Sequence, residues 1–424
     1  MKNLIVKNAR LIDPANSRDE VADLYVEDGV FVDSAPKDAE VIDAKNKAII
    51  PGIVDMHAHL REPGQTSKET ILSGTSAAAA GGITSVLAMP NTIPAVDNAA
   101  TVRLIFELIR QNAKVRVYQS GCITEGRKGE KLAPIGSLKK AGVVAITDDG
   151  GCVQNHELMR RAMEYADMFG LLVMDHCQDA SLTKNGQIHE GEWSCKLGLT
   201  GWPSAGEDLI VSRNVILSHY TKARVHLQHI SSAYSVDIIR RAKARGVRVS
   251  AEATPHHIAL TDAACDNFNT NAKMNPPLGS EEDRQALIRG LCDGTIDAIA
   301  SDHAPHTVND KDKEFDYAAF GIIGFETSLS VCYETLVKSG IMPINKLIEL
   351  MTINPARLLG IDAGTLSKGA AADFAVVDFN AEYIYDKTYS RSINSPWLGK
   401  KLFARVERTF VGGKCVYSLD RGVE

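Results

Sequence analysis

Ile49-Ile50-Pro51-Gly52-Ile53-Val54-Asp55-Met56-His57-Ala58-His59 is an apolar run that ends in a carboxylate and two histidines. Residues 49–57 have the Ile- and Val-rich character of a strand buried on both faces. Runs of the same kind recur at 84–89, 115–118, 143–149, 171–176, 224–229, 247–251 and 298–302. Stretches with helical spacing lie between them, at 155–169, 207–220, 234–245 and 281–291 among others. Eight strand-then-helix units in succession predict an α/β fold, a (β/α)8 barrel, which takes ~250 residues. An open, doubly wound sheet would carry a glycine-rich turn after its first strand, and none stands here.

The two chain ends have a different texture. Residues 4–9, 22–26 and 41–43, and then 372–378, 404–410 and 414–417, are short strand-like runs separated by polar turns. They predict a small β-sandwich domain assembled from residues 1–50 and 365–424, beside a barrel domain of residues 51–364. The 424 residues, 44% hydrophobic, permit a large core. A net charge of -6 without a basic run gives no support for nucleic-acid binding. The eight cysteines are scattered, with no CxxC pair, and are expected to be reduced, mostly buried thiols of a cytoplasmic protein. No run approaches the ~20 apolar residues of a membrane span. The apolar start at Leu4-Ile5-Val6 is too short for a secretory leader.

Barrel chemistry gathers at the C-terminal ends of the strands. Those ends here read Asp55-Met56-His57-Ala58-His59, Met89-Pro90-Asn91, Asp148-Asp149, Asp175-His176, Gln228-His229 and Ser301-Asp302-His303. His57 and His59, two apart on a strand, present both rings to one side. Any one of these residues is unremarkable: a lone H-x-H recurs by accident, a single buried His is usually a satisfied core residue, and Asp302 would serve as a helix cap. Together they are costly to bury unless they share a cation. Imidazole and carboxylate ligands suit zinc, or manganese, cobalt or iron. Six ligands exceed the need of one tetrahedral ion, and two ions sharing a carboxylate would use them all. Asp148 and Asp149 are neighbours, so on a regular strand only one faces inward, and parity alone does not choose between them.

At these residues the sequence resembles the cyclic amidohydrolases, and among them the dihydroorotases of the long bacterial and archaeal type. The resemblance rests on Asp55-Met56-His57-Ala58-His59-Leu60-Arg61-Glu62-Pro63 and on Ala300-Ser301-Asp302-His303-Ala304-Pro305-His306 followed by Lys311. It extends to Met89-Pro90-Asn91-Thr92, Met274-Asn275-Pro276-Pro277 and the segment from Phe320-Gly321 to Glu326-Thr327. It implies a zinc enzyme with one or two ions per chain, two being favoured. His57, His59 and Asp302 would hold the first ion, and His176 and His229 the second. Where much of the superfamily carries a bridging lysine on strand four, this chain has Asp148-Asp149, and the resemblance makes Asp149 the bridge.

The implied reaction is the reversible cyclisation of N-carbamoyl-L-aspartate to L-dihydroorotate in pyrimidine synthesis, with Asp302 as the catalytic acid and base. His59, Arg61, Asn91, Asn275 and His306 would bind substrate, and Phe320 and Gly321 would contact its ring from a flexible loop. The segment Lys311-Asp312-Lys313-Glu314 is expected to be solvated and mobile. His226, His256, His257 and His303 are expected to pack or to support the ligands. An allantoinase-like hydrolase would share the histidines but lack the Arg61 and Asn91 pair. A subunit serving only as a scaffold for aspartate carbamoyltransferase would have lost ligands that this chain keeps. By the same resemblance the partners are a small-molecule substrate, a second copy of the chain in a homodimer and, for an active chain, an aspartate carbamoyltransferase.

Overall fold

The computed structural model describes residues 3–424. Eight parallel strands run in sequence order: β1 (Ile53–Ala58), β2 (Ile83–Ala88), β3 (Arg116–Gly121), β4 (Ala145–Ile146), β5 (Leu172–Asp175), β6 (Val225–Leu227), β7 (Val249–Ala253) and β8 (Ala298–Ile299). A parallel bridge between Ala58 and His303, with the His59 amide on the His303 carbonyl at 2.9 Å, ties the segment after β8 back to β1. The expected (β/α)8 barrel is the observed architecture. Helices such as Ile71–Ala80, His156–Asp167, Ala205–Thr221, Ala233–Ala244 and Glu281–Asp293 cover the outside. Their starts follow from sequence: Thr70 with Ser73, and Ser280 with Asp283, form reciprocal caps. Among the described residues no helix is long and apolar enough to cross a membrane.

Strands from both chain ends form one nine-stranded sheet. Its centre is the strand Ala48–Pro51, which runs parallel to Leu4–Asp13 on one side and antiparallel to Phe374–Ile384 on the other. The two-residue period of a strand divides its side chains between two cores. Ile49, Phe374 and Val376 join Leu4, Val6, Leu11 and Phe31 in a core of the sheet's own. Ala48, Ile50, Ala375 and Val377 face the main core around the barrel. Polar contacts reinforce the junction: Arg116 of β3 grips Asp373 at 2.6 and 3.0 Å.

Three expectations need correction. The single strand expected over 49–57 is two, Ala48–Pro51 in the terminal sheet and Ile53–Ala58 in the barrel. The chain crosses between them at Gly52, where a Cβ would meet the Thr84 hydroxyl at 2.0 Å. The segment from Lys311 is not uniformly solvated, because Lys311 itself is buried. Of the eight cysteines, all free, four are buried, two half-buried and two exposed.

Inside the barrel, Val54, Met56, Leu87, Met89, Ala145, Leu172, Met174, Ala298 and Ala300 form an apolar plug, closed below by Ala356 and Leu359 of the helix Ile353–Leu359. Met56 belongs to this plug, yet His57 also faces the barrel interior. A register shift between Asp55 and Ala58 makes this possible, since a bulge lets consecutive residues share a side. On the outside, Gly81 ends the helix Ile71–Ala80 directly against the backbone of the segment after β8. A Cβ there would lie 2.1 Å from the Phe325 carbonyl oxygen. Gly81→Ala is therefore expected to cost about 1–3 kcal/mol of stability, read from urea unfolding, because that backbone must move aside.

Candidate active site

Above the apolar plug the barrel interior turns polar. His226 and Gln228 of the β6 segment and Ser250 and Glu252 of β7 form a buried layer. Asp55 joins it by accepting from the His57 and Ser301 amides, and burial pushes its pKa up to about 6. Over this layer lie His57, His59, Asp149, His176, His229 and Asp302, all buried and drawn from the ends of β1, β4, β5, β6 and β8. Their inward atoms converge. His57 Nε2 is 3.2 Å from Asp149 Oδ1 and 3.5 Å from Asp302 Oδ1. His59 Nε2 is 2.9 Å from Asp302 Oδ1 and 3.5 Å from Asp149 Oδ2. His176 Nδ1 and His229 Nε2 each lie 3.9 Å from Asp149 Oδ1. His229 and Asp302 hold φ of +31° and +43°, and Arg61 beside them +58°. Such backbone costs ~1–3 kcal/mol per residue and persists where surrounding structure enforces it.

A pocket opens onto this cluster, lined by Arg61, Asn91, Asn275, His306, Phe320 and Gly321 as well as by every cluster residue except His57. All the substrate-side residues expected from sequence thus meet at one cavity. Arg61 is buried, and its Nε donates to the Pro305 carbonyl at 3.3 Å. Burial lowers its pKa to about 10, so the guanidinium stays charged. Burial, with Arg61 and Lys68 adjacent, pushes His306 down to about 2 and keeps that ring neutral. Asn275 Oδ1 is buried with no hydrogen-bond partner, an acceptor left for a ligand.

Two family profiles match the chain, one described as Dihydro-orotase-like over residues 46–235 and one as Amidohydrolase family over residues 219–417. The chain is 47% identical over 419 residues to the dihydroorotase of Acetivibrio thermocellus, covering 97% of this chain and 98% of that one. To the dihydroorotase of Geotalea daltonii it is 48% identical over 425 residues, covering 99% and 100%. The chain belongs to the dihydroorotase family. Among solved structures, the L-hydantoinase (dihydropyrimidinase) from Arthrobacter aurescens matches with a TM-score of 0.89 at 24% identity, covering 100% of this chain and 97% of that one. The dihydropyrimidinase from Brevibacillus agri NCHU1002 matches with a TM-score of 0.86 at 21% identity, covering 98% and 95%. Identities this low speak to the fold alone.

Members of the dihydroorotase family are metal-dependent cyclic amidohydrolases, and the cluster fits a divalent cation. His57 Nε2 and Asp149 Oδ2 are buried without hydrogen-bond partners. The outer nitrogens of three rings are already committed. His57 Nδ1 donates to Glu252 Oε1 at 2.6 Å, His59 Nδ1 to Asn91 Oδ1 at 3.0 Å and His176 Nε2 to Gln178 Oε1 at 2.8 Å. Each acceptor oxygen holds the outer N–H and so turns the inner nitrogen toward the cluster, where it can serve as a ligand once it has given up its proton. Asp149 belongs to two of the possible ligand groups, with His57 and His59 and with His176 and His229. The Asp148 carboxylate instead caps the Ile123 and Thr124 amides.

The charges describe a site built around a cation. Burial opposes ionisation of Asp149, but His57, and after it His59 and His176, outweigh burial and hold its pKa well below the carboxylate range. Burial likewise opposes protonation of His57, and the Asp149, Asp302 and Glu252 carboxylates together hold its pKa well above the usual value. Burial, with His176 and His57, drives His229 well below it.

The sequence reading missed Glu252 and Arg127. Glu252 receives His57 on one oxygen and His226 Nε2 on the other at 3.0 Å. The strand expected over 247–251 stopped one residue short of it, although an acid inside a strand must find buried partners. Arg127 donates to the Asp149 carbonyl at 2.7 Å and so fixes the turn that aims that side chain. Glu252→Gln is expected to weaken metal affinity by about 10–100-fold, followed by metal release to a chelator, because the amide is a poorer acceptor for His57. Unchanged release would show that Glu252 only fills space.

Proposed function

We propose that the chain catalyses the reversible cyclisation of N-carbamoyl-L-aspartate to L-dihydroorotate, in pyrimidine synthesis. The observation that carries this reading is the buried, charged Arg61 facing the same pocket as the metal-binding cluster. A planar fork of N–H donors beside a hydrolytic centre suits a cyclic amide that bears a carboxylate. The reading takes the ions as Zn2+, two per chain. His57, His59 and Asp302 would hold one, His176 and His229 the other, and Asp149 both. When bound, such an ion supplies Lewis acidity, which lowers the pKa of water to about 7 and polarises a carbonyl.

The residues of the chain divide the remaining work. Arg61, with the neutral His306 beside it, binds the substrate carboxylate and sets the ring's orientation. Asn275 offers its free Oδ1 to a ring N–H, and Asn91 reaches the pocket while holding His59. Phe320 and Gly321 close the ring side. In hydrolysis Asp302 takes a proton from the attacking water and delivers it to the ring nitrogen as the amide C–N bond breaks. In cyclisation the same carboxylate carries the proton the other way.

The reading keeps residues 51–364 as the catalytic barrel domain and residues 1–50 with 365–424 as the β domain, supported by the crossing at Gly52. It also takes the protein as a cytoplasmic homodimer. Eight free thiols support the reducing compartment. The exposed Leu209, Ile216 and Tyr220 on the helix Ala205–Thr221, whose other face is already buried, support self-association.

Ultraviolet-monitored hydrolysis of L-dihydroorotate, with allantoin and dihydrouracil alongside, tests the reading. Selective loss of dihydroorotate is expected, abolished by chelation and restored by Zn2+. Turnover of a control in its place would overturn it. Asp302→Asn is expected to lower kcat by at least about a hundredfold. Arg61→Lys is expected to raise KM by roughly tenfold or more, since an ammonium cannot reproduce the fork. An unchanged KM would remove Arg61 from carboxylate binding.

A further inference from the structure

Two lysines beside the pocket are buried without forming an ion pair among the described residues. Lys273 is 1% exposed and Lys311 5%. A buried ammonium is costly unless its three N–H groups are satisfied. Both here use all three. Lys311 Nζ donates to the carbonyls of Ala319 at 2.8 Å, Gly321 at 3.1 Å and Lys273 at 3.3 Å. Lys273 Nζ donates to Gln187 Oε1 and the Phe315 carbonyl, each at 2.5 Å, and to the Asp316 carbonyl at 3.3 Å. It also lies 4.4 Å from the centre of the Phe320 ring, within cation–π range.

The acceptors have a common feature. Phe315, Asp316, Ala319 and Gly321 belong to one connecting segment, whose carbonyls turn inward to the two ammonium groups as they would to a bound metal ion. The two centres are linked, since Lys311 donates to the backbone of Lys273 and the Gly321 amide donates to the same carbonyl at 2.9 Å. Gly321 is held at φ +146°, and a Cβ on it would lie 2.7 Å from the Ala304 carbonyl and 2.8 Å from the His306 ring. The segment is therefore pressed against the pocket in one conformation. Burial, with Lys273 adjacent, lowers the pKa of Lys311 to about 7, and burial lowers that of Lys273 to about 8.

We propose that Lys273 and Lys311 are positioning residues for substrate binding, whose Nζ donors hold the 312–321 segment in the shape that seats Phe320 and Gly321 at the pocket. This rests on the reading of that pocket as the dihydroorotate site. Neither lysine needs to touch the substrate. Their effect is to set the segment before substrate arrives, so that its ordering is not charged to binding.

The test compares the unaltered chain with Lys311→Met and Lys273→Met, which keep the apolar stem and remove the donors. In both variants KM for L-dihydroorotate is expected to rise at least tenfold, kcat to stay within threefold and metal content to be unchanged. The amides of Ala319 and Gly321 are expected to exchange with solvent at least tenfold faster than in the unaltered chain. A KM within twofold of the parent, or a fall in kcat and metal content at constant KM, would overturn the proposal. If neither variant folds, hydrogen exchange on the unaltered, substrate-free chain still decides. Protection of those two amides supports a preset segment, and exchange as fast as an unstructured peptide refutes it. An unaltered chain that does not turn over dihydroorotate at all would refute the substrate reading instead, whatever the exchange result.

Discussion

The Asp149 carboxylate, itself buried, stands within 3.9 Å of four imidazole nitrogens, those of His57, His59, His176 and His229. Bringing these groups together from four strand ends carries a desolvation cost of several kcal/mol per ion. Only a cation shared among them, or protons in its stead, offsets it. Much of the remaining architecture can be understood as holding this arrangement still. The apolar plug gives the cluster a floor. The layer containing Glu252, His226 and Gln228 orients the His57 ring from below, and the turn held by Arg127 aims the carboxylate from the side. Left-handed backbone at His229 and Asp302 is the local strain this convergence requires.

The barrel was legible because each strand is a dense apolar run and each intervening helix keeps its period, so length and pattern agree at every step. The cluster was legible for a related reason: polar, ligand-capable side chains at the ends of such runs are too costly to occur there without a shared purpose. Asp149 could not be separated from Asp148 by parity, and the distinction came from the Thr124 region, which claims Asp148 as a cap. The strand over 49–57 was misjudged because Gly52 is conformationally neutral in a sequence. Its role appears only when Thr84 is seen packed against it.

What the sequence concealed most completely was buried charge. Glu252 and Lys311 each look like surface residues, one in a strand and one in a run of alternating charges. Their burial depends on partners far along the chain, His57 and His226 for the first, backbone carbonyls for the second. No local pattern encodes an acceptor supplied by a distant main chain. Lys311 closes the second motif, but its reason for being there is structural: it anchors the wall of the pocket rather than decorating its rim.

The position of Ala48–Pro51 has a consequence for how the molecule is made. This strand is the middle of the terminal sheet, and its antiparallel neighbour Phe374–Ile384 emerges from the ribosome only after the whole barrel has been synthesised. At translation rates of about 5–20 residues per second that interval lasts tens of seconds. Throughout it one edge of the strand lacks its ladder partner, and an open edge of Ile-rich backbone is a template for pairing with another nascent chain. The complete nine-stranded sheet therefore cannot form until the barrel has been synthesised.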